Sequence, residues 1–239
     1  MFKGVLSPII TILDEQGRID FKGNETHINR LIDNGINGIL FLGSIGEFFA
    51  LSMEEKKEFI KFAIKTVNKR VPVLIGTGGT VQAEVIELTR FAEQAGADAA
   101  VVISPYYFKL NTETIYQYYA SIARSTSLPI VLYNFPDRLM AGGDGVLCGL
   151  TNIIPQVFAG LMNAYAAKDL DKVAVAQAKI SLLMNLYDVS QPFIAGIKGA
   201  AAATGHPFVP AVKEPATGLT TTQLQTIQEL LKKAEATQS

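Results

Sequence analysis

Ser44 stands between two glycines in Gly43-Ser44-Ile45-Gly46-Glu47. That spacing lets the backbone approach a ligand closely while the hydroxyl donates to a carboxylate or passes on a proton. A tight turn that holds a serine fits the same letters. Gly76-Thr77-Gly78-Gly79-Thr80 could cradle an anion at a helix start, although it lacks the lysine of a nucleotide-phosphate loop and also describes a plain turn. Ser104-Pro105-Tyr106-Tyr107-Phe108 and Tyr133-Asn134 supply phenols and a serine for a proton relay, with ordinary rim packing of tyrosine as the alternative. His27 and His206 have no acidic or sulfur partner at ligand spacing, which points to surface or capping roles and indicates no metal site. Glu54, Glu55, Lys56, Lys57 and Glu58 form a solvated helix face.

These residues fall at the ends of a regular series of elements. Apolar runs centred near residues 6, 40, 74, 102 and 131 recur with amphipathic stretches between them, the rhythm of repeated βα units. The runs are continuously apolar rather than alternating, as in parallel strands covered on both faces. The pattern predicts helices over about 21–34 and 81–95, closed by Gly35 and Gly96 in the left-handed capping position. Helix starts are marked by Ser52 with Glu55 as a capping box, by Thr80, and by Asn111 or Thr112. From Asn152 onward the pattern predicts helices over 155–167, 169–188, 192–204 and 220–236, with Gly205 and Gly218 as breaks.

One junction breaks the rhythm. Tyr133-Asn134-Phe135-Pro136 is followed almost at once by Gly142-Gly143-Asp144-Gly145-Val146-Leu147-Cys148, a helix end, capping glycine and strand without the helix that should precede them. A parallel crossover needs about 10–12 residues, helix included, and Phe135 to Gly143 barely reaches that floor. The fold class expected is α/β, a TIM-barrel-derived parallel βα barrel shortened to about six strands, with a C-terminal helical appendage. Residues 1–151 would form the truncated barrel, and 152–239 its last helix and C-terminal helices in the same structural unit.

Composition bounds the function. At 239 residues and 49% hydrophobic content the chain is long enough for one large core. Lysine and arginine total 21 against 22 acidic residues, so there is no basic excess to engage a phosphate backbone, and nucleic acid is not expected as a partner. The single cysteine, Cys148, is expected inside a buried strand and has no internal disulfide partner, which suits a reducing cytoplasm. No secretory or membrane-spanning segment is read from the sequence.

Taken together, Ser7-Pro8 through Thr11, Gly43 to Glu47, Gly76-Thr77-Gly78, Pro105-Tyr106-Tyr107, Tyr133-Asn134-Phe135-Pro136 and Gly142 to Gly145 resemble the dihydrodipicolinate synthase and N-acetylneuraminate lyase family of pyruvate-dependent class I aldolases. The resemblance runs over 4–138 and again over 139–239. It implies that Ser44 and Ile45 approach a substrate carboxylate with their backbone amides and that Leu147 lines the substrate site. It also implies Tyr133 as the proton-shuttling phenol, Tyr107 as a relay member near a subunit interface, and Arg138 at a position that in some members binds a second carboxylate. Ile45 replaces a threonine common in the synthase branch, which favours a sugar-acid aldolase ancestry. The implied partner is a small 2-keto acid such as pyruvate, and no cofactor or metal is called for.

The family normally carries about two further βα units, roughly 60 residues, at the position between Arg138 and Leu139, and those units hold the lysine that forms the Schiff base. Their absence predicts a protein catalytically silent as a lyase, with Ser44, Tyr107 and Tyr133 left as a vestigial relay. The alternatives are an active lyase completed by a substitute lysine or by a partner chain, and a module that binds a keto acid noncovalently. Gly196-Ile197-Lys198 imitates the lost motif, but Lys198 is expected on the helical appendage, exposed and outside the barrel mouth, while Lys109 is expected at a rim or subunit contact. An open barrel would leave strand edges bare, so a homo-oligomer is expected.

Overall fold

A computed structural model describes residues 2–105, 110–133, 145–204 and 208–236. Strands β1 (Gly4–Pro8), β2 (Gly38–Phe41), β3 (Val73–Gly76), β4 (Ala99–Ile103) and β5 (Ile130–Tyr133) alternate with helices α1 (Phe21–Asp33), α2 (Met53–Val67), α3 (Gln82–Ala95) and α4 (Thr112–Ala123). Strand β6 (Gly145–Leu147) follows, and the described chain continues through α5 (Pro155–Ala166), α6 (Leu170–Leu183), α7 (Ile194–Ala203) and α8 (Thr221–Ala236). Tyr107, Arg138, Lys109, His206 and the Phe135-to-Gly143 connection lie outside the described residues.

The helices start where local chemistry favours them. Asp20 caps α1 by accepting from the Gly23 amide at 3.0 Å, and Asn111 caps α4 by accepting from Thr114 at 2.8 Å. Ser52 and Glu55 form the reciprocal capping box of α2, at 3.2 and 2.8 Å. Thr80 does not cap α3, contrary to expectation. Val81 occupies that position, and having no side-chain acceptor it makes no cap bond. Gly96 closes α3 at φ 99°, a left-handed conformation that glycine adopts without strain.

All strand pairs are parallel, in the order β5-β4-β3-β2-β1-β6. Leu40 faces Leu74, Leu74 faces Ala99, Val101 faces Val131, and Val5 faces Val146. This is the expected parallel βα architecture with about six strands and a helical appendage, as a curled half-barrel rather than a closed one, and β5 and β6 are the two ends of the sheet. Their exposure shows it: Leu132 on β5 is 61% exposed and Leu147 on β6 is 40% exposed. Gly145 fits at the junction because any side chain there would run into the Gly4 carbonyl of β1.

The pleat sorts side chains into two environments. Ile39, Phe41, Val73, Ile75, Ala100 and Val102 point outward into the main core beneath the helices, together with Phe59, Leu88 and Ile122. The alternate residues Leu40, Leu74, Ala99 and Val101 form a second, smaller cluster, with Phe2, Leu6 and Tyr133 packed against it. That small cluster is the interior of the curled sheet.

Three expectations change here. Cys148 lies just past β6 rather than within a buried strand, and it is half-buried because β6 is an edge strand. His27 is fully buried rather than at the surface. Its Nε2 lies 2.9 Å from Asn152 Oδ1, which can only accept, so the imidazole donates. Asn152 also receives the Ile10 amide at 3.1 Å and donates to the Pro8 and Gly149 carbonyls, each at 2.8 Å. Through this one side chain the segment after β6 is stitched to β1 and α1. Lys198, finally, is fully buried rather than exposed, for a reason that belongs to the site.

Candidate functional site

The curled sheet encloses a cavity of about 430 Å³. Every strand of the sheet or the residues just after it reach its wall: Pro8 from β1, Leu40 and Leu42, Gly76, Val101 and Ile103, Tyr133, and Leu147 with Cys148 and Gly149. A complete barrel of this kind packs its interior with layers of side chains, whereas here the small inner cluster fills only part of it. Ser44, Ile45, Tyr133 and Leu147 all lie on the wall, so the structure brings these four sequence candidates together around one space. Tyr107 and Arg138 fall outside the described residues.

The Gly43-to-Glu47 stretch leaves β2 as a short 3-10 turn over Ser44–Gly46. Glu47 follows in the left-handed region, at φ 57° and ψ 34°. A non-glycine residue there is held by its surroundings, and those surroundings are explicit. The Glu47 carboxylate is buried, forms an ion pair with the Lys198 ammonium, and accepts from the Lys213 amide at 2.7 Å. Lys198 Nζ also donates to the Ala211 carbonyl at 2.7 Å, and Thr11 Oγ1 donates to the Gly46 carbonyl at 2.7 Å. Helix α7 and the chain between α7 and α8 therefore clamp the turn that carries Ser44. Burial pulls the Lys198 ammonium below the ordinary lysine value, against the opposing pull of Glu47. Lys198 is not among the residues lining the cavity.

Sequence reasoning missed Tyr187, Met184 and Phe193, which cover the cavity from the stretch between α6 and α7. The Tyr187 phenol is pushed far above its ordinary value, first by burial and then by the neighbouring Cys148, with Tyr133 adding a smaller push. Burial likewise raises Tyr133. Cys148 is raised by burial, against hydrogen bonds with the Leu150 backbone and Tyr187. No motif marks Tyr187 in the sequence, since it falls in a run whose pattern reads only as helix. The Gly76-to-Thr80 segment contributes Gly76 and Gly78 to the wall, while Thr77 turns away and pairs with Thr89 at 2.8 Å.

The raised Cys148 thiol has a readable consequence. Only the thiolate alkylates, so iodoacetamide should label native protein at pH 8 more slowly than protein in urea, and the native rate should climb only as pH passes the ordinary thiol range. Intact-mass timecourses check this, and equal rates in both states would contradict the burial of the sulfur.

Among the described residues no helix is long and apolar enough to cross a membrane, and no group of three or more potential metal ligands occurs.

The family model for the dihydrodipicolinate synthetase family matches residues 1–141 and 137–234. YagE of Escherichia coli (strain K12), provisionally assigned as a 2-dehydro-3-deoxy-D-gluconate aldolase, is 33% identical over 295 residues, taking in 97% of this chain and 98% of YagE. The crystal structure of YagE, a prophage protein, in complex with pyruvate matches the fold with a TM-score of 0.95 at 32% identity, covering 98% of this chain and 99% of that one. A 4-hydroxy-tetrahydrodipicolinate synthase from Bacillus subtilis (strain 168) is 42% identical over 140 residues, 59% of this chain and 48% of the synthase, so the match spans about half of that enzyme. Matched along nearly its whole length in both sequence and fold, the chain belongs to the dihydrodipicolinate synthetase family.

Proposed function

We propose that this chain is a shortened member of the pyruvate-dependent aldolase and lyase group that holds a small 2-keto acid without forming an imine and is silent as a lyase. The observation that carries this reading is the cavity wall, which keeps Ser44, Ile45, Tyr133 and Leu147 and has no lysine among its described residues. In the parent chemistry a lysine amine condenses with the keto carbon, and the protonated imine accepts the electron pair released when the carbon–carbon bond breaks. Without that amine, the pair has no acceptor of comparable strength, whatever protons the Tyr133 phenol can move. The alignment with YagE supports an excised segment, since it runs over 295 residues against the 239 of this chain. The two family matches meet at 137–141, in the interval between β5 and β6.

Incubation with 2-dehydro-3-deoxy-D-gluconate, with pyruvate release followed by lactate dehydrogenase and YagE as positive control, should give no signal above the blank. Steady pyruvate release would reject the reading.

One observation favours an active lyase instead. Lys198 is buried with a lowered pKa, the condition an imine-forming lysine requires. Against it, the Lys198 ammonium is committed to Glu47 and Ala211 and is absent from the cavity wall.

The exposed edges at Leu132 and Leu147 support association of two copies through the open side of the sheet. A single-chain mass by light scattering at micromolar concentration would remove that part of the reading.

A further inference from the structure

We propose that the cavity takes a 2-keto acid with a branched or aromatic apolar body in preference to pyruvate or a polyhydroxylated sugar acid. The inference rests on the keto-acid reading above and names the class of acid. Its ground is the distribution of chemistry around the wall. Hydroxyl and thiol groups come from Ser44, Tyr133, Tyr187 and Cys148, all at or beyond the C-terminal ends of the strands or in the segment covering them. Behind them, Leu40 and Val101 are shared between the cavity and the inner cluster, where Leu74 and Ala99 continue the same apolar surface. Ile103, Leu147, Met184 and Phe193 complete the apolar wall.

Size and polarity then select the guest. A cavity of about 430 Å³ lies in the range of small-molecule sites, roughly 300–1,000 Å³, and pyruvate alone would leave most of it empty. A chain of hydroxyls extending over Leu40, Val101 and Ile103 would lose its hydrogen bonds to water without equivalent partners on that surface. A branched or aromatic body on the same acid replaces poorly held water with apolar contact, which is the favourable exchange in a preformed apolar cavity. Met184, unbranched and polarizable, can adjust to its outline. The acid end stays with the Ser44 turn in either case, so the difference between ligands reports the body alone.

Calorimetric titration of the full chain with pyruvate, phenylpyruvate and 2-dehydro-3-deoxy-D-gluconate tests this. Phenylpyruvate should bind about tenfold tighter or more than either of the others, given the apolar area of a benzyl group. Val101→Phe, which fills the floor, should abolish that advantage; should the variant not fold, the comparison on the unaltered chain decides. Pyruvate binding with phenylpyruvate equal or weaker, or the sugar acid binding tightest, would overturn the inference and leave the keto-acid reading standing. Absence of binding by all three would remove both.

Discussion

Replacing Lys198 with alanine is expected to cost the fold about 3–5 kcal/mol, because it leaves the Glu47 carboxylate buried without its counter-ion. The Ala211 carbonyl would lose its donor at the same time. Urea unfolding of the single variant should show a lower midpoint with little change in slope. Lys198→Met combined with Glu47→Gln should recover a substantial part of the loss, since both charges are then gone while the Gln carbonyl can still accept from the Lys213 amide. A single variant within about 1 kcal/mol of the parent would mean that the pair is solvated or that the charge is not held where the geometry places it.

Asn152→Ala is expected to rank beside it, at about 3–5 kcal/mol, because one truncation strips partners from the Ile10 amide, the Pro8 and Gly149 carbonyls and the His27 imidazole. All of these surround a fully buried side chain, so water does not replace what is lost without opening the structure. Asn152→Asp separates shape from hydrogen bonding. It keeps the volume and the acceptor but cannot donate to Pro8 and Gly149 while ionised, so it too should be strongly destabilised. Hydrogen exchange should show the loss concentrated in β1 and β6, the pair that this side chain ties together. An alanine variant as stable as the parent would contradict the role of Asn152 as the stitch holding β6 to the sheet.

Much of this fold was legible in local chemistry. The Ser52–Glu55 box, the Asn111 cap and the glycine at the end of α3 all lie where the sequence points, because each depends on residues only a few positions apart. The apolar runs marked the strands for the same reason. The buried position of Lys198 was not legible from spacing, because its partner Glu47 lies 151 positions away. A signal did exist: α7 reads Ile-Ala-Gly-Ile-Lys-Gly-Ala-Ala-Ala-Ala, apolar on every side, and such a helix is buried. A lysine within it must be paired, and Glu47, directly after Gly46 in the turn that follows β2, was an available carboxylate.

The candidate site was legible in part. Ser44, Ile45, Tyr133 and Leu147 share one cavity because the strand ends converge, which follows from βα repetition. Tyr187, Met184 and Phe193 were not legible, because the stretch that brings them over the cavity lies beyond the repeating units and its placement depends on tertiary packing of α6 and α7. Thr80 misled because a hydroxyl residue before a helix is a common cap, yet here the chain enters α3 one residue later, at Val81.

The proposed silence as a lyase requires that no lysine amine reach a bound keto acid, and none lines the cavity among its described residues. Its most direct test is incubation with pyruvate and sodium borohydride followed by intact-mass spectrometry, with YagE treated in parallel. An unchanged mass is expected for this chain. A mass increase equal to one reduced pyruvyl group, mapped by peptide digestion to Lys198 or any other lysine, would contradict it.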